Sequence, residues 1–298
     1  MIAFLLLTGC LLGAAALARC FNPPPALSQG LNWWVIYIAL PAAVLELVPM
    51  VHFTRDLWFL VVSQWLAFAA AFLLFRFLGR RLHWSRQRIG ALTLVCGLNN
   101  TSFLGYPLLE ALRGRDGLAL GVVADQLGGF IALAIGGVIT AMLYAGAPAR
   151  PLTVARRVVL FPAFLAVLLA GVVGMAGGWP APFVSILHRV SQTITPLALF
   201  SVGLKLRLQL PRGQRTAVIV GLTWKLALAP LLTLAVGATL GVTGLVLTVA
   251  ILQTAMAPMF SAVILANEHQ LDPDLANTTL GLGMALSFAT LPLWNAWL

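Results

Sequence analysis

The sequence predicts an all-α integral membrane protein with ten transmembrane helices. Three observations support this: 61% of the 298 residues are hydrophobic, only 9% are charged, and the mean hydropathy is +0.98. Water-soluble domains carry about 25% charged residues, whereas an apolar stretch of about 20 residues can cross a bilayer core. Ten such stretches are predicted to span the membrane: 2–18, 30–50, 57–78, 89–112, 117–143, 157–177, 184–206, 216–240, 244–266 and 275–297.

The fourth predicted span contains a polar break. Asn99, Asn100 and Thr101 follow one another in an otherwise apolar stretch, and Gly105 and Pro107 come within six residues of them. Each buried polar group without a partner costs roughly 1–3 kcal/mol, and a proline removes one backbone donor from a helix. A membrane span tolerates such a break only where protein or a water-filled cavity satisfies the freed groups. The segment is therefore predicted to line a site rather than to face lipid.

The ninth predicted span is broken in a similar way. Gln253 precedes the adjacent residues Ala257 and Pro258 within an apolar stretch. Two proline-broken spans in corresponding halves of a chain indicate a transporter binding site. Helix-crossing positions are accordingly predicted at Gly105, Pro107, Ala257 and Pro258.

The prolines also indicate an internal repeat. Pro41 and Pro196 are 155 residues apart, and Pro107 and Pro258 are 151 residues apart. Each half would hold five spans, and because five is odd, the second half enters the membrane from the opposite side. The predicted organisation is a first five-helix repeat over 1–145, a short basic cytoplasmic linker over 146–156 and a second, inverted repeat over 157–298.

Lysine and arginine are distributed unevenly among the connections between spans. The odd-numbered connections hold 13 of them and the even-numbered connections hold 4. The positive-inside rule then places the odd connections in the cytoplasm of a bacterial inner membrane and both termini in the periplasm. Because the arginines behind the net charge of +10 sit between spans, no nucleic-acid partner is predicted.

Four groups of residues form recognisable motifs: residues 100–109, Asp125 with Gln126, Lys225 with Pro230, and the tail with residues 253–258, Asp272-Pro273 and 291–294. These motifs resemble the auxin efflux carrier family, which comprises plant PIN-type auxin exporters and bacterial permeases. The resemblance covers nearly the whole chain and implies ten spans in two inverted repeats, with spans four and nine crossing at their prolines, as in sodium/proton antiporter-like and bile acid symporter-like architectures. It also implies transport of organic anions and a homodimer.

Broken helices of this kind favour an anionic guest. Each break leaves a half-helix whose N-terminal end carries roughly half a positive elementary charge, and a carboxylate binds well at such ends. Substrate-binding residues are predicted at Asn99, Asn100, Thr101 and Gln253, and the resemblance favours Asn100 among them. The alternative is that these side chains only satisfy freed backbone carbonyls, and that the prolines are packing kinks.

Ionisable side chains inside the spans are few. A charge at the centre of a membrane helix costs about 2.5–3.5 kcal/mol on insertion scales. Glu46, Asp125 with Gln126, and Lys225 are therefore predicted as coupling or counter-ion residues. In the alternative reading, Glu46 faces water at the interface and Asp125 only orients the broken backbone of the fourth span.

Two further groups of residues have predicted structural roles. The acids Glu268, Asp272 and Asp274 lie between the last two spans, where they are expected to cap the final helix. Tryptophans at span ends are expected at headgroup depth: Trp33, Trp34, Trp58, Trp84, Trp179, Trp294 and Trp297.

The predicted function is secondary transport of a small organic anion by alternating access. The anion would be an auxin-like or malate- or malonate-like carboxylate, and transport would be export or be linked to protons or the membrane potential. Two alternatives stay open: a sodium-coupled organic anion symporter of the bile acid type, and a channel-like anion pore. No enzymatic activity, metal or cofactor is predicted, and the predicted partners are the substrate, the lipid bilayer and a second copy of the chain.

Overall fold

The computed structural model describes residues 2–21, 23–51, 55–146, 162–204 and 212–298. Helices make up almost all of these ranges, which contain no β-strand and one isolated antiparallel bridge, so the predicted all-helical class is confirmed. In chain order the α-helices are α1 Ile2–Phe21, α2 Pro25–Trp34, α3 Leu40–Leu47, α4 Leu57–Arg81, α5 Arg86–Gly97, α6 Gly105–Val123, α7 Val138–Ala145, α8 Pro162–Met175, α9 Ala181–Ser191, α10 Ile194–Leu204, α11 Arg215–Thr223, α12 Ala229–Thr239, α13 Gly244–Thr254, α14 Phe260–Glu268 and α15 Pro273–Trp297.

Several neighbouring helices are joined without a loop. Wider π-helical turns at Val35–Ala39, Ala124–Gly129, Ala132–Gly137 and Trp224–Leu228 connect the flanking α-helices into longer rods. Four of these rods or helices are long and apolar enough to cross a membrane: Ala26–Met50, Leu57–Arg81, Gly105–Ala145 and Arg215–Thr239.

The rod from Gly105 to Ala145 covers the fourth and fifth predicted spans. Within it Gly114 has φ +66° and breaks the helical path. Glycine suits this position because a residue with a side chain would be strained at such a φ. This turn lies between the two stretches that the hydropathy pattern separates. Gly146 ends the rod with φ +75°, and residues 147–156 of the predicted linker lie outside the described residues.

The chain divides into two compact units. The first comprises Met1–Phe53, Ser102–Gln126 and Val159–Leu206, and the second comprises Thr54–Thr101, Leu127–Val158 and Arg207–Leu298. Each unit therefore draws on both halves of the sequence. The inverted repeat of ten spans stays a prediction.

In the first unit α3 lies at the centre of the packing. It contacts α8 and α9, while α1 packs along α10. Small and aliphatic side chains of α3 such as Ala43, Val44 and Leu47 are buried in these contacts. Lipid tails are as apolar as these side chains, so close van der Waals packing of small residues, and not removal of surface from water, stabilises such contacts between membrane helices.

In the second unit α5 is the central helix. Every residue from Ile89 to Gly97 is buried, and α4, α7, α14 and α15 surround it. The start of α5 is fixed by Ser85, whose hydroxyl accepts a hydrogen bond from the Arg88 amide at 3.2 Å. A helix that is apolar on all sides must be enclosed by other helices, which makes the end of α5 a buried position.

The final helix begins without the side-chain cap that the sequence predicted. Asp272 occupies the cap position of α15, but its side chain makes no capping hydrogen bond. Its carboxylate instead accepts a hydrogen bond from Arg88 Nε at 3.1 Å. The expectation that Asp272 caps this helix is wrong, because its carboxylate forms an ion pair with Arg88 of α5 instead.

Candidate functional site

Two helices of the second unit stop abruptly in its buried interior. Helix α5 ends at Gly97, where Leu98 turns to an extended conformation, and α13 ends at Thr254. The residues that follow, 98–101 and 255–259, are all buried. The structure therefore contains a helix break at the polar run of the fourth predicted span and another at the proline of the ninth.

The two breaks pair with each other through one isolated antiparallel bridge. Asn99 and Pro258 form the isolated bridge, and the Asn100 amide donates to the carbonyl oxygen of Ala257 at 3.0 Å. Unwound backbone in a membrane interior must find protein partners, because no water or lipid group satisfies it there. The pairing of one break with the other meets this requirement.

A lysine side chain bonds to residues at or just beyond the ends of α13 and α5. Lys225 is fully buried in the π-helical turn between α11 and α12. Its Nζ donates to Asn99 Oδ1 and, at 3.2 Å, to the carbonyl oxygen of Thr254 at the end of α13. A cation at a helix C-terminus is favoured by the helix dipole. Lys225 thus bonds to the last residue of α13 and to the side chain of Asn99, two residues after the end of α5.

The Asn99 amide group is fully engaged in this network. Its Oδ1 accepts from Lys225, and its Nδ2 donates to Gln64 Oε1 at 2.6 Å. The Thr101 hydroxyl donates to the Asn99 carbonyl oxygen at 3.3 Å. Within the second unit, Asn99 therefore links α4, the end of α5 and Lys225.

Asn100 differs from its neighbour. Its side chain is 1% exposed, and within the described chain its Nδ2 atom has no hydrogen-bond partner. A buried amide donor left unpaired costs about 1–3 kcal/mol, so an acceptor brought to this position would be bound favourably. Gln253, the other predicted amide, is fully buried in the last turn of α13.

The predicted helix-crossing residues of the first break lie in the first unit. Gly105 begins α6, and Pro107 is the third residue of that helix. A proline fits in the first helical turn because the amide there has no helical acceptor. The unwound segment thus precedes Pro107.

The first unit also holds the predicted pair Asp125 and Gln126. Both side chains are buried, and Asp125 Oδ2 accepts from Tyr106 Oη at 2.8 Å and from Gln126 Nε2 at 2.7 Å. Among the described residues the Gln126 Oε1 atom has no partner. The tyrosine thus ties the start of α6 to the π-helical turn that follows it.

Glu46 is more deeply buried than the alternative reading of the sequence expected. It is 3% exposed and forms ion pairs with Arg115 and, at 2.7 Å, with His188 Nδ1. Ser191 Oγ donates to its second oxygen at 2.6 Å. These contacts join α3, α6 and α9 within the first unit.

Sequence reasoning missed the partners of the predicted residues. Gln64, Tyr106 and His188 each bond to a predicted site residue from a different part of the chain. Gln64 was detectable in principle, since Ser63-Gln64 is a polar pair inside an apolar span. Tyr106 lies within the motif of residues 100–109, whereas His188 carries no such signal, because histidine side chains are common near span ends.

Comparison with known proteins gives matches to transporters. A family model described as membrane transport protein matches residues 4–295. An uncharacterized transporter of Methanothermobacter thermautotrophicus is 29% identical over 219 residues, which is 71% of either chain. An uncharacterized transporter of Methanocaldococcus jannaschii is 25% identical over 276 residues, covering 89% of this chain and 88% of the relative.

Proposed function

Because this chain belongs to the membrane transport protein family, we propose that it is a secondary transporter that moves a small organic carboxylate by alternating access. Membership of this family and the long apolar helices identify a multi-pass membrane protein of a transporter family, which is not an enzyme family. The substrate, the mechanism and the ion coupling are the proposed part.

The observation that carries the proposal is the side-chain Nδ2 atom of Asn100 at the paired helix breaks, which has no hydrogen-bond partner among the described residues. The Nδ2 atom is a buried donor that needs an acceptor. Helix α14 begins two residues after Pro258, so its N-terminal amides and partial positive charge lie at the same break. Donors and positive potential in a buried place suit a carboxylate better than a cation.

The polar side chains around Asn100 have two different roles in this proposal. Lys225 and Asn99 bond to each other and to the backbone, so in this proposal they hold the breaks in shape and Asn100 contacts the substrate. Thr101 and Gln253 are proposed as further substrate contacts because both are buried within or beside the breaks.

Two carboxylates of the first unit are proposed to couple transport to an ion. Asp125 lies beside the unpaired Oε1 of Gln126, and a proton or a sodium ion would bind between two such oxygen atoms. Glu46 is the second candidate. Dependence on sodium would favour the bile acid symporter type, which is the alternative to a proton- or potential-linked exporter.

The proposed architecture is ten helices in two inverted repeats, with helices four and nine crossing at their breaks. The proposal includes a homodimer in an inner membrane, with both termini on the outer side. The uneven distribution of lysine and arginine supports this orientation.

Ligand-induced thermal stabilisation of the purified full-length protein tests the site. The panel contains monocarboxylates, dicarboxylates and indole-3-acetate, each with and without sodium. A bound ligand raises stability by RT ln(1 + [L]/Kd), about 2.7 kcal/mol at a hundredfold excess over Kd. We expect at least one carboxylate to stabilise the wild type but not Asn100→Ala. Asn277→Ala is the matched control, because that amide bonds only locally, to the Pro273 carbonyl oxygen at 2.7 Å.

Two results would contradict the proposal. If every carboxylate leaves the unfolding temperature unchanged, the substrate is not a carboxylate. If Asn100→Ala binds as well as Asn277→Ala does, the substrate does not contact Asn100. Transport by proteoliposomes separates the remaining alternatives, since a carrier saturates with substrate concentration and a channel-like pore conducts without saturating.

A further inference from the structure

A basic cavity lies in the second unit, at one end of its helices. Its volume is about 600 Å³, and it is bounded by the end of α4, the turn that follows, the start of α5 and the end of α7. Three arginines line it, Arg76, Arg80 and Arg86, together with Trp84 and Tyr144. This cavity has no part in the transport site described above.

The positive charge of the cavity is not neutralised by nearby acids. Among the described residues no ion pair involves Arg76, Arg80 or Arg86, and the Arg86 Nη2 atom donates to a neutral acceptor, the carbonyl oxygen of Leu143, at 2.8 Å. The nearby Arg88, by contrast, pairs with Asp272 at 3.1 Å. Three like charges around one open space favour an anion there.

Membrane orientation alone does not explain this arrangement. The positive-inside rule requires basic residues beyond a span but places no demand on where they point. Arg80 and Arg81 are neighbours with equal charge, yet Arg80 lines the cavity whereas Arg81 lies over the ring of Phe77 at 5.5 Å. The convergence of Arg76, Arg80 and Arg86 on one space is therefore a property of the fold.

The chemistry of the lining indicates which anion fits. Guanidinium groups bind phosphate through paired hydrogen bonds. The exposed apolar side chains of Leu73 and Phe77 on α4 and the indole of Trp84 are typical of the boundary between lipid tails and headgroups. Basic pockets at such depth accept phosphate headgroups. We propose that this cavity binds the phosphate of an anionic phospholipid headgroup.

The test measures lipid binding by the full-length protein in detergent. Phosphatidylglycerol is titrated and its binding followed by native mass spectrometry and by the unfolding temperature, with phosphatidylcholine and inorganic phosphate in parallel. We expect Arg76→Gln and Arg80→Gln each to weaken phosphatidylglycerol binding about fivefold, the equivalent of about 1 kcal/mol per arginine near an anionic surface. Arg81→Gln, which removes the same charge one residue away, should bind like the wild type.

Each contrary result has a distinct meaning. Equal weakening in Arg80→Gln and Arg81→Gln would overturn the proposal, because it would reflect general attraction between charges. Equal binding of phosphatidylcholine would overturn it as well. Stabilisation by inorganic phosphate as strong as that by the lipid would overturn the lipid source and assign the cavity to a soluble phosphate compound. None of these results depends on carboxylate transport, so failure here leaves the proposed function untouched.

Discussion

The indole N–H of Trp294 donates a hydrogen bond to the backbone carbonyl oxygen of Leu226, 2.9 Å away. That carbonyl lies four residues before Pro230, which has no amide hydrogen to offer it. The first unit repeats the relationship: Trp179 Nε1 donates to the Leu45 carbonyl oxygen at 2.8 Å, four residues before Pro49. In both units a tryptophan donates to a carbonyl oxygen whose α-helical donor position, four residues on, is a proline. The sequence predicted only that these indoles lie near the membrane interface.

Replacement of Trp294 by phenylalanine should destabilise the protein by about 1–3 kcal/mol, because it leaves the Leu226 carbonyl without its indole donor. The measurement is thermal or denaturant unfolding in detergent. Adding Pro230→Ala to this variant supplies a backbone amide at the proline position and should recover part of the loss. Trp297→Phe, at a side chain that is 63% exposed, is the control. Equal losses at Trp294 and Trp297 would rule out a special role for the indole bond.

Lys225 and Asn99 should be energetically coupled. A hydrogen bond to a charged group contributes about 1.5–3 kcal/mol, and leaving a buried acceptor unpaired costs a similar amount. We therefore expect Lys225→Met and Asn99→Ala each to lower the free energy of unfolding, and the double variant to lose less than the sum. A double-mutant cycle measures the difference. Strictly additive losses would mean that the contact does not stabilise the paired breaks.

Gly283 should be intolerant of a side chain. A Cβ atom there would lie 2.4 Å from Cδ and 2.6 Å from Cγ of Pro258, closer than real contacts allow. Because the proline ring cannot rotate away, Gly283→Ala should shift α15 or the second break and cost about 1–3 kcal/mol of stability. Gly171→Ala in α8 is the matched control, since nothing lies within 4 Å of its added methyl group. Unfolding temperatures of the two variants compare them directly, and equal values would contradict the close packing against Pro258.

Local features of the sequence located the helix breaks correctly. The run from Asn99 to Thr101 and the proline at position 258 are incompatible with a continuous lipid-facing helix, and both segments are unwound in the structure. Rules about backbone donors apply within a few residues, so they can be read from sequence. Gly114 was not predicted: the structure shows that this residue, with φ +66° and ψ −163°, lies between the fourth and fifth predicted spans.

The partners of the site residues were beyond such rules. Gln64 bonds to Asn99 from 35 residues away, and Lys225 bonds to it from 126 residues away. The Asp272 carboxylate was assigned to the nearest helix end, but it pairs with Arg88, 184 residues away. Rules about neighbouring residues do not predict these hydrogen-bond and ion-pair partners, because the partners depend on which helices the fold brings together.

The sequence by itself determined the membrane class, the family and the positions of the two breaks, because hydropathy, proline and adjacent polar residues act over short distances. Only the tertiary structure decided that the breaks pair with each other and that Asn99 bonds to Gln64 and Lys225, whereas Nδ2 of Asn100 has no hydrogen-bond partner among the described residues. Neighbouring asparagines are alike in sequence, and they differ only in which side chains from distant helices reach them.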